Sequence, residues 1–187
     1  FWLKNSAAGT HASCKLCSLR METCAVCIVG AGYAGFNALN AASKYLPRGS
    51  RVVVVDRGHR WGGNFVDTYD YLRLHQNYQA FSAGERAWKI SGVVPPSHLA
   101  TKDEILSHFR DVPAAVVDDT GIELVTLWGY EFLTSRDVGG RAEVTTRPIG
   151  SVAAAGAPPV TITADRVIVA TGADVSPKRP LALSAVA

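Results

Sequence analysis

Three short stretches of the chain are almost entirely apolar, and each leads directly into glycine or a carboxylate. Residues 24–29 (CAVCIV) continue into the motif G-A-G-Y-A-G of residues 30–35. Residues 52–55 are four valines followed by Asp56, and residues 166–172 have the sequence RVIVATG. Such unbroken apolar runs are typical of parallel strands that are buried on both faces. They predict a Rossmann-type α/β fold with a central parallel sheet and flanking helices.

Two further segments have the spacing of amphipathic helices. Residues 34–46 contain no proline, and Pro47 ends the predicted helix. A second helix is predicted to begin at Thr101, where Glu104 supplies the other half of a capping box. Pro113 is expected to limit or kink this helix.

From residue 122 onward the pattern changes to short strands separated by turns. Residues 124–133, 142–146 and 160–163 predict an antiparallel β-meander, with Gly139-Gly140 in one of its turns. The predicted fold therefore has a β-meander inserted before the last apolar strand at 166–172.

The glycine motif has the order of a dinucleotide-binding unit: strand, glycines, helix, strand and acid. In such a unit Gly30 makes the tight turn, Gly32 lets a pyrophosphate approach the backbone, and Gly35 lets the helix pack closely on the strand. The helix start offers unpaired N–H groups to the phosphates. Asp56 can accept both hydroxyls of an adenosine ribose and disfavours a 2′-phosphate, although Arg57 keeps NADP open at this site.

Composition and charge narrow the classes of function. With 187 residues, 48% of them apolar, the chain is sufficient for one packed domain. The net charge of +3 comes from Lys4, Lys15 and Arg20, since the remaining 16 basic residues balance 16 acidic ones. This balance gives no sign of nucleic-acid binding. No apolar run approaches the length of a membrane span.

The predicted domain occupies residues 21–180. Residues 1–20 lack periodicity and are predicted to be a tail outside the folded core, because Met21 fits a natural start just before the first strand. A short targeting segment is the alternative for this tail. Residues 181–187 complete no further unit and are predicted to be a truncated C-terminal end.

All four cysteines lie near the N-terminus, as Cys14, Cys17, Cys24 and Cys27. The pattern C-x2-C-x6-C-x2-C resembles a zinc site. However, the last two lie three residues apart on the first strand, where alternation is expected to point them to opposite faces. We therefore favour no metal, and free thiols in a reducing, cytoplasmic environment.

The segment that follows Asp56 contains a glycine pair and a run of aromatic residues. Gly62 and Gly63 permit a tight loop to approach a ligand's phosphates. Residues 69–77 (YDYLRLHQN), with aromatic residues continuing to Trp88, are expected to line a ligand. The alternative places the aromatic side chains in the core, Arg73 on the surface and His75 in a packed loop.

These motifs together resemble the FAD-binding part of flavin-dependent monooxygenases, the class of flavin-containing and Baeyer–Villiger monooxygenases. The resemblance is carried by the G-A-G-Y-A-G motif, Asp56, W-G-G at 61–63, Y-L-R-L-H-Q at 71–76 and A-T-G at 170–172. It implies that residues 62–64 face the flavin side, that residues 73–76 border the isoalloxazine and that residues 171–172 close the far side. The residues it assigns to the FAD site are Gly30, Gly32, Tyr33, Ala34, Gly35, Asp56, Arg57, Gly62, Gly63, Asn64, Arg73, Leu74, His75, Gln76, Thr171 and Gly172.

The resemblance also implies a reaction. In this class FAD is reduced by NADPH and reacts with O₂, and a flavin C4a-hydroperoxide oxygenates a small organic substrate, while the protein positions the cofactor and excludes water. The chain contains no second glycine fingerprint for NADPH and no F-x-G-x-x-x-H signature. We therefore expect it to be the N-terminal FAD part of a longer protein that uses NADPH as co-substrate. The sequence assigns no catalytic residue.

Two other functions remain open. One is an NAD(P)-dependent oxidoreductase of another flavoprotein class, although a disulfide reductase would need a cysteine pair after the glycine pair, and no cysteine follows Cys27. The other is a non-catalytic dinucleotide-binding module, in which a bound flavin would be redox-silent.

Overall fold

The computed structural model describes residues 20–172. The predicted tail, apart from residue 20, and the predicted end at 181–187 lie outside the described residues. Two short 3-10 helices, Gly63–Phe65 and Tyr78–Phe81, lie between the second strand and the second α-helix. The strands and α-helices are β1 Arg20–Val29, α1 Tyr33–Ser43, β2 Arg51–Asp56, α2 Lys102–Thr120, β3 Glu123–Trp128, β4 Tyr130–Val138, β5 Arg141–Pro148, α3 Gly150–Ala154 and β6 Val160–Val169.

The strands form one mixed sheet in the order β3-β2-β1-β6-β5-β4. The first four are parallel neighbours, and β6, β5 and β4 are antiparallel. Val29 pairs with Val55 of β2 and with Val169 of β6, so the C-terminal ends of these strands meet at one edge. The predicted fold class, a parallel core with flanking helices and antiparallel strands, is confirmed.

Helices α1 and α2 cover one face of the parallel strands. Side chains of β1 and β2 that point to this face pack with Phe36 and Leu39 of α1 and with Phe109 and Val116 of α2. Each fully buried side chain of this size contributes roughly 1.5–3 kcal/mol to folding. The helices therefore hold the turns at the C-terminal edge of the sheet in fixed positions.

The β4–β5 hairpin covers the other face. Gly129 alone joins β3 to β4, although these strands are the two edges of the pairing order. A flat six-stranded sheet would be roughly 24 Å wide, whereas one residue spans about 3.8 Å. The hairpin therefore curls over the sheet, and Tyr130 and Val144 pack against Val53 and Val55.

The predicted strand boundaries were wrong at two places. The predicted strand 124–133 is broken at Gly129, which has φ +72°, and its first half is a parallel partner of β2 rather than part of the meander. The predicted strands 160–163 and 166–172 are one strand, β6, because the chain continues extended between them. Its first half pairs with β5, and nearly its whole length pairs with β1.

The helices follow the sequence prediction with two differences. Helix α1 ends at Ser43 rather than at residue 46. Helix α2 has the predicted capping box, but it continues through the buried Pro113 and ends only at Thr120. Gly121 caps it with a φ of +65°, which suits a glycine. Of the described helices, none is long and apolar enough to cross a bilayer.

Cys24 and Cys27 lie on the same face of the sheet, contrary to the prediction. The alternation of β1 breaks at Ala25 and Val26, which both pack on the helix side, so both thiols join the hairpin-side core. Burial raises the pKa of Cys24 to about 11 and that of Cys27 to about 12. Cys14 and Cys17 lie outside the described residues. Between residues 20 and 172, no three potential ligands are grouped to hold a metal ion.

Candidate dinucleotide site at the C-terminal edge of the sheet

The turn between β1 and α1 is closed by backbone contacts that exclude side chains at two positions. Gly30 has φ +110°, and a Cβ there would lie 2.4 Å from the carbonyl oxygen of Ala170. A Cβ at Gly35 would lie 1.8 Å from the carbonyl oxygen of Gly30, because α1 packs directly on the end of β1. Both positions therefore require glycine.

Gly32 is open where the other two glycines are closed. Its φ is −82°, and a Cβ there would meet only the Cα of Gly63, at 3.7 Å. Gly32 is also the N-cap of α1, where no side chain caps the helix and the first turn contains no acidic residue. The N–H groups and positive end of α1 are thus left for an external anion, as a pyrophosphate would require.

Asp56 ties the glycine turn to the loop that follows β2. Its Oδ2 accepts the N–H of Ala31 at 2.6 Å, and its Oδ1 accepts the N–H of Gly58 at 2.6 Å. The side chain is partly exposed, and each oxygen retains a lone pair for a further donor. The carboxylate is therefore fixed in orientation and can accept further donors.

The glycine pair lies against the glycine turn. The N–H of Gly62 donates to the carbonyl of Ala31 at 2.9 Å. A Cβ on Gly63, which has φ +50°, would lie 2.7 Å from the Cα of Gly32. The structure thus brings Gly30, Gly32, Asp56 and the glycine pair together, and this set fits a pyrophosphate with an attached ribose.

Residues 73–76 belong to a separate segment, which is attached to the start of α2. Arg73 pairs with Thr101 in an isolated bridge, and its guanidinium donates to the carbonyl of Leu99 at 3.1 Å. Leu74 is 4% exposed and packs in the helix-side core, so its side chain is structural. His75 and Gln76 are exposed. Of this segment only these two and Arg73 present side chains to solvent.

The remaining predicted residues lie around the same edge. Tyr33 packs its ring on Phe81, with centroids 4.1 Å apart, whereas Ala34 is exposed in the first turn of α1. Arg57 and Asn64 are exposed on the loop after β2. Thr171 and Gly172 follow the end of β6, which lies beside Gly30, and both are exposed.

The aromatic residues of 69–88 divide between core and surface. Tyr78, Phe81 and Trp88 pack against the helix-side core. Tyr69 and Tyr71 stack on each other at 4.3 Å and are exposed. The core alternative therefore holds for the three residues nearer to α2.

One buried histidine lies beneath the aromatic segment. His108 of α2 is 3% exposed, stacks on Trp88 with centroids 4.1 Å apart, and meets the edge of Phe36. Its Nε2 has no hydrogen-bond partner. Burial lowers the pKa of His108 to about 4, although Asp111 opposes this shift. The ring is therefore neutral at pH 7.

Sequence reasoning missed several residues of this edge. Ala31 contributes both its N–H and its carbonyl, and Gly58 contributes an N–H. The D-x-G spacing of Asp56 and Gly58 is a turn signal that could have identified the latter. Trp128 lies opposite Asp56 in the sheet, and only the register of β3 on β2 reveals this.

The chain matches one protein-family model and resembles several solved structures. A model of the family described as pyridine nucleotide-disulphide oxidoreductase matches residues 24–186. No curated protein matches the chain. Three similar solved structures are a flavin-containing monooxygenase from Stenotrophomonas maltophilia (19% identity, TM-score 0.58, 81% of this chain and 39% of that chain), the bacillithiol disulfide reductase Bdr from Staphylococcus aureus (15%, 0.58, 81% and 39%) and a polycyclic ketone monooxygenase from the thermophilic fungus Thermothelomyces thermophila (19%, 0.62, 83% and 24%).

At these identities the solved structures show a shared fold. They include both monooxygenases and a disulfide reductase, so the predicted resemblance to flavoprotein monooxygenases is confirmed as a likeness of the FAD/NAD(P)-binding domain. The chain spans 39% of the first two of these proteins and 24% of the third.

Proposed function

The chain belongs to the pyridine nucleotide-disulphide oxidoreductase family, and on that premise we propose that it is the FAD-binding part of an NADPH-dependent flavoprotein monooxygenase. The whole protein would oxygenate a small organic substrate with O₂. NADPH would be the co-substrate of that whole protein. This chain has a single glycine fingerprint, and it is assigned to FAD.

The observation that carries FAD binding is the open position at Gly32. Gly30 and Gly35 are glycines for the fold, because side chains there would strike backbone. Gly32 has an ordinary φ and room for a Cβ, so the fold alone does not require glycine there. A pyrophosphate that lies against the uncapped start of α1 supplies the reason.

Each residue of the site then has a defined task. The first-turn N–H groups of α1 bind phosphate oxygens, and Asp56 orients the ribose while it holds the loop after β2. Gly63 keeps that loop free of a side chain where it meets Gly32, and Gly62 holds the loop to the glycine turn through its N–H bond to Ala31. The bound flavin supplies the redox and oxygen chemistry, and the chain contributes its binding and orientation.

The test is flavin retention by the purified chain. After incubation with FAD and desalting, we expect a flavin absorption band in the wild type and none in Gly32→Val. Asp56→Asn should bind more weakly, because it loses the charge that favours two N–H donors and the ribose hydroxyls. Ala41→Val, which adds bulk at an exposed position of the same helix, is the matched control.

The outcomes separate the proposal from its rivals. Equal flavin retention by wild type and Gly32→Val, with both folded by circular dichroism, would contradict the pyrophosphate position. NAD⁺ that raises the melting temperature where FAD does not would indicate a nicotinamide site. A bound flavin that neither dithionite nor light can reduce would favour a non-catalytic module.

A disulfide reductase is the second candidate, because one similar structure has that activity. The two cysteines that the structure describes do not support it. Both are buried on β1 with pKa values raised to about 11 and 12, whereas a redox-active pair needs an accessible thiolate. Thiol titration of the native chain should therefore find neither Cys24 nor Cys27 reactive.

A further inference from the structure

A tryptophan ends the strand next to the carboxylate that is proposed to hold the ribose, and a second tryptophan packs on it. Trp128 ends β3 and is the register partner of Asp56, which ends β2. Neighbouring strands are about 4.8 Å apart, so the two side chains start from adjacent positions. Both side chains are expected on the helix side of the sheet. Val54 and Leu124, which pack on that side, lie two residues before Asp56 and four residues before Trp128.

Trp61 fixes the indole of Trp128 from the loop. The two rings meet edge to face, with centroids 5.9 Å apart and planes at 84°. Trp61 is buried in the helix-side core, whereas Trp128 is only partly buried. One ring is thus anchored in the core, and the other, at the strand position paired with Asp56, retains accessible surface.

Backbone hydrogen bonds hold this corner together. The N–H of Gly129 donates to the carbonyl of Gly58 at 2.9 Å, and the N–H of Gly58 donates to Asp56. The loop after β2 is therefore tied to the ends of both strands. These hydrogen bonds and the strand pairing hold the backbone positions of Asp56 and Trp128 relative to each other.

We infer that Trp128, supported by Trp61, is the wall against which the adenine base of the dinucleotide packs. This inference rests on the proposed function, because it starts from a ribose bound at Asp56. The base is attached to that same ribose, so it must lie within a few ångströms of the carboxylate. Trp128 is the large partly exposed aromatic side chain that the sheet register places there.

In this role Trp128 favours ligands that contain adenosine over ligands that lack it. Stacking of a base on an aromatic ring stabilises binding enough to change an affinity about tenfold. The effect should be the same for any ligand that carries adenosine diphosphate and absent for one that lacks adenine. FMN, which contains the flavin without the adenosine, is the natural reference ligand.

The experiment compares ADP, FAD and FMN binding to the wild type, Trp128→Leu and Trp128→Phe. Trp128→Leu should weaken ADP and FAD binding about tenfold and leave FMN binding unchanged. Trp128→Phe, which keeps a ring, should lose less than threefold. Tyr45→Leu makes the same kind of change at a residue that is 88% exposed after α1, and it should bind all three ligands as the wild type does.

If folded Trp128→Leu binds ADP and FAD as tightly as the wild type does, the inference is overturned while the proposed function stands. Failure of wild type to bind either FAD or ADP would overturn both. If Trp128→Leu does not fold, ¹⁵N-tryptophan labelling of the wild type replaces it. The indole N–H signal of Trp128 should shift when AMP is added and that of Trp88 should not, and an unmoved Trp128 signal at saturation overturns the inference.

Discussion

The two long helices of the fold begin in opposite ways. Helix α2 starts at Thr101, whose hydroxyl accepts the N–H of Glu104 while Glu104 accepts the N–H of Thr101 at 2.7 Å. His98 adds a contact to the same carboxylate at 2.9 Å, and Asp103 adds a second acid to the first turn. Helix α1 starts at Gly32 with no cap and no acid.

This difference separates a helix start that serves the fold from one that serves a ligand. Both starts lie at the C-terminal edge of the sheet and both leave N–H groups that need acceptors. The chain satisfies those of α2 with its own side chains. Those of α1 are left without side-chain acceptors, and a protein gains nothing in stability by this unless something else binds there.

The largest loss of folding stability should come from a side chain at Gly35, where α1 packs on the end of β1. In Gly35→Ala the new Cβ would lie 1.8 Å from the carbonyl oxygen of Gly30. Helix and strand must separate, and we expect a loss of about 3 kcal/mol or more of folding free energy. Urea unfolding measures it, with Ala41→Ser on the exposed face of the same helix as control. A melting curve like that of the wild type would contradict the observed packing.

The next effect concerns the interior polar groups of the two helices. Asn40 of α1 donates to the carbonyl of Ala83 and accepts from Arg86, whereas Nε2 of His108 in α2 has no partner. Because burial lowers the pKa of His108 to about 4, the unfolded chain binds its proton first as pH falls below about 6.5. The folding stability that the neutral ring contributes is therefore lost progressively as pH falls from about 6.5 to about 4.

Between pH 7 and pH 5 this single group should reduce the free energy of unfolding by roughly 2 kcal/mol. His108→Leu should remove that part of the pH dependence. His59→Gln, a change at an exposed histidine, should retain it. Equal slopes for wild type and His108→Leu in urea unfolding at the two pH values would show that the ring is not buried as described.

A carboxylate placed in the first turn of α1 would make the two helix starts alike. Ala34→Glu puts it at an exposed position, where the helix dipole should raise stability by about 0.3–1 kcal/mol. The same charge should repel a pyrophosphate and weaken FAD binding about tenfold. Ala34→Gln is the neutral control. Melting temperature and flavin fluorescence quenching should thus move in opposite directions, and parallel changes would refute the ligand role of this helix start.

The smallest effect on flavin binding should come from removing the cap of α2. Thr101→Ala loses the acceptor of the Glu104 N–H and should cost about 1 kcal/mol of stability. Flavin retention should be unchanged, because α2 does not contribute its start to the site. Burial raises the pKa of Glu104, but the N–H of Thr101 and the contact with His98 outweigh it, so the pKa lies below its usual value. The cap therefore persists above pH 4.5 and weakens as pH falls through that lowered value.

Local patterns predicted the parts of the fold that depend on neighbours in the chain. The glycine motif, the four valines with Asp56 and the Thr101–Glu104 box each describe a strand end or helix end within a few residues. Their positions in the structure follow those signals. The exception is Gly129, where a single glycine in an apolar run separates a parallel strand from an antiparallel one.

Features that depend on distant pairing could not be predicted. The shared face of Cys24 and Cys27 results from the irregular alternation at Ala25 and Val26, which the unbroken apolar run at residues 24–29 does not reveal. The neighbourhood of Asp56 and Trp128 depends on a register between strands that are 72 residues apart in sequence. Side chains that act through such pairing leave no local pattern.

The position of β6 in the sheet also has a consequence for how the chain is made. Arg20 pairs with Val160 and Val29 with Val169, so the central strand β1 lacks one of its two neighbours until 140 more residues have been synthesised. At 5–20 residues per second this takes roughly 7–28 s. During that time Cys24, which later packs against β6 residues such as Ile162, has not reached its final burial. Cys24 and Cys27 are buried in the folded protein, whereas in the nascent chain they are not yet covered.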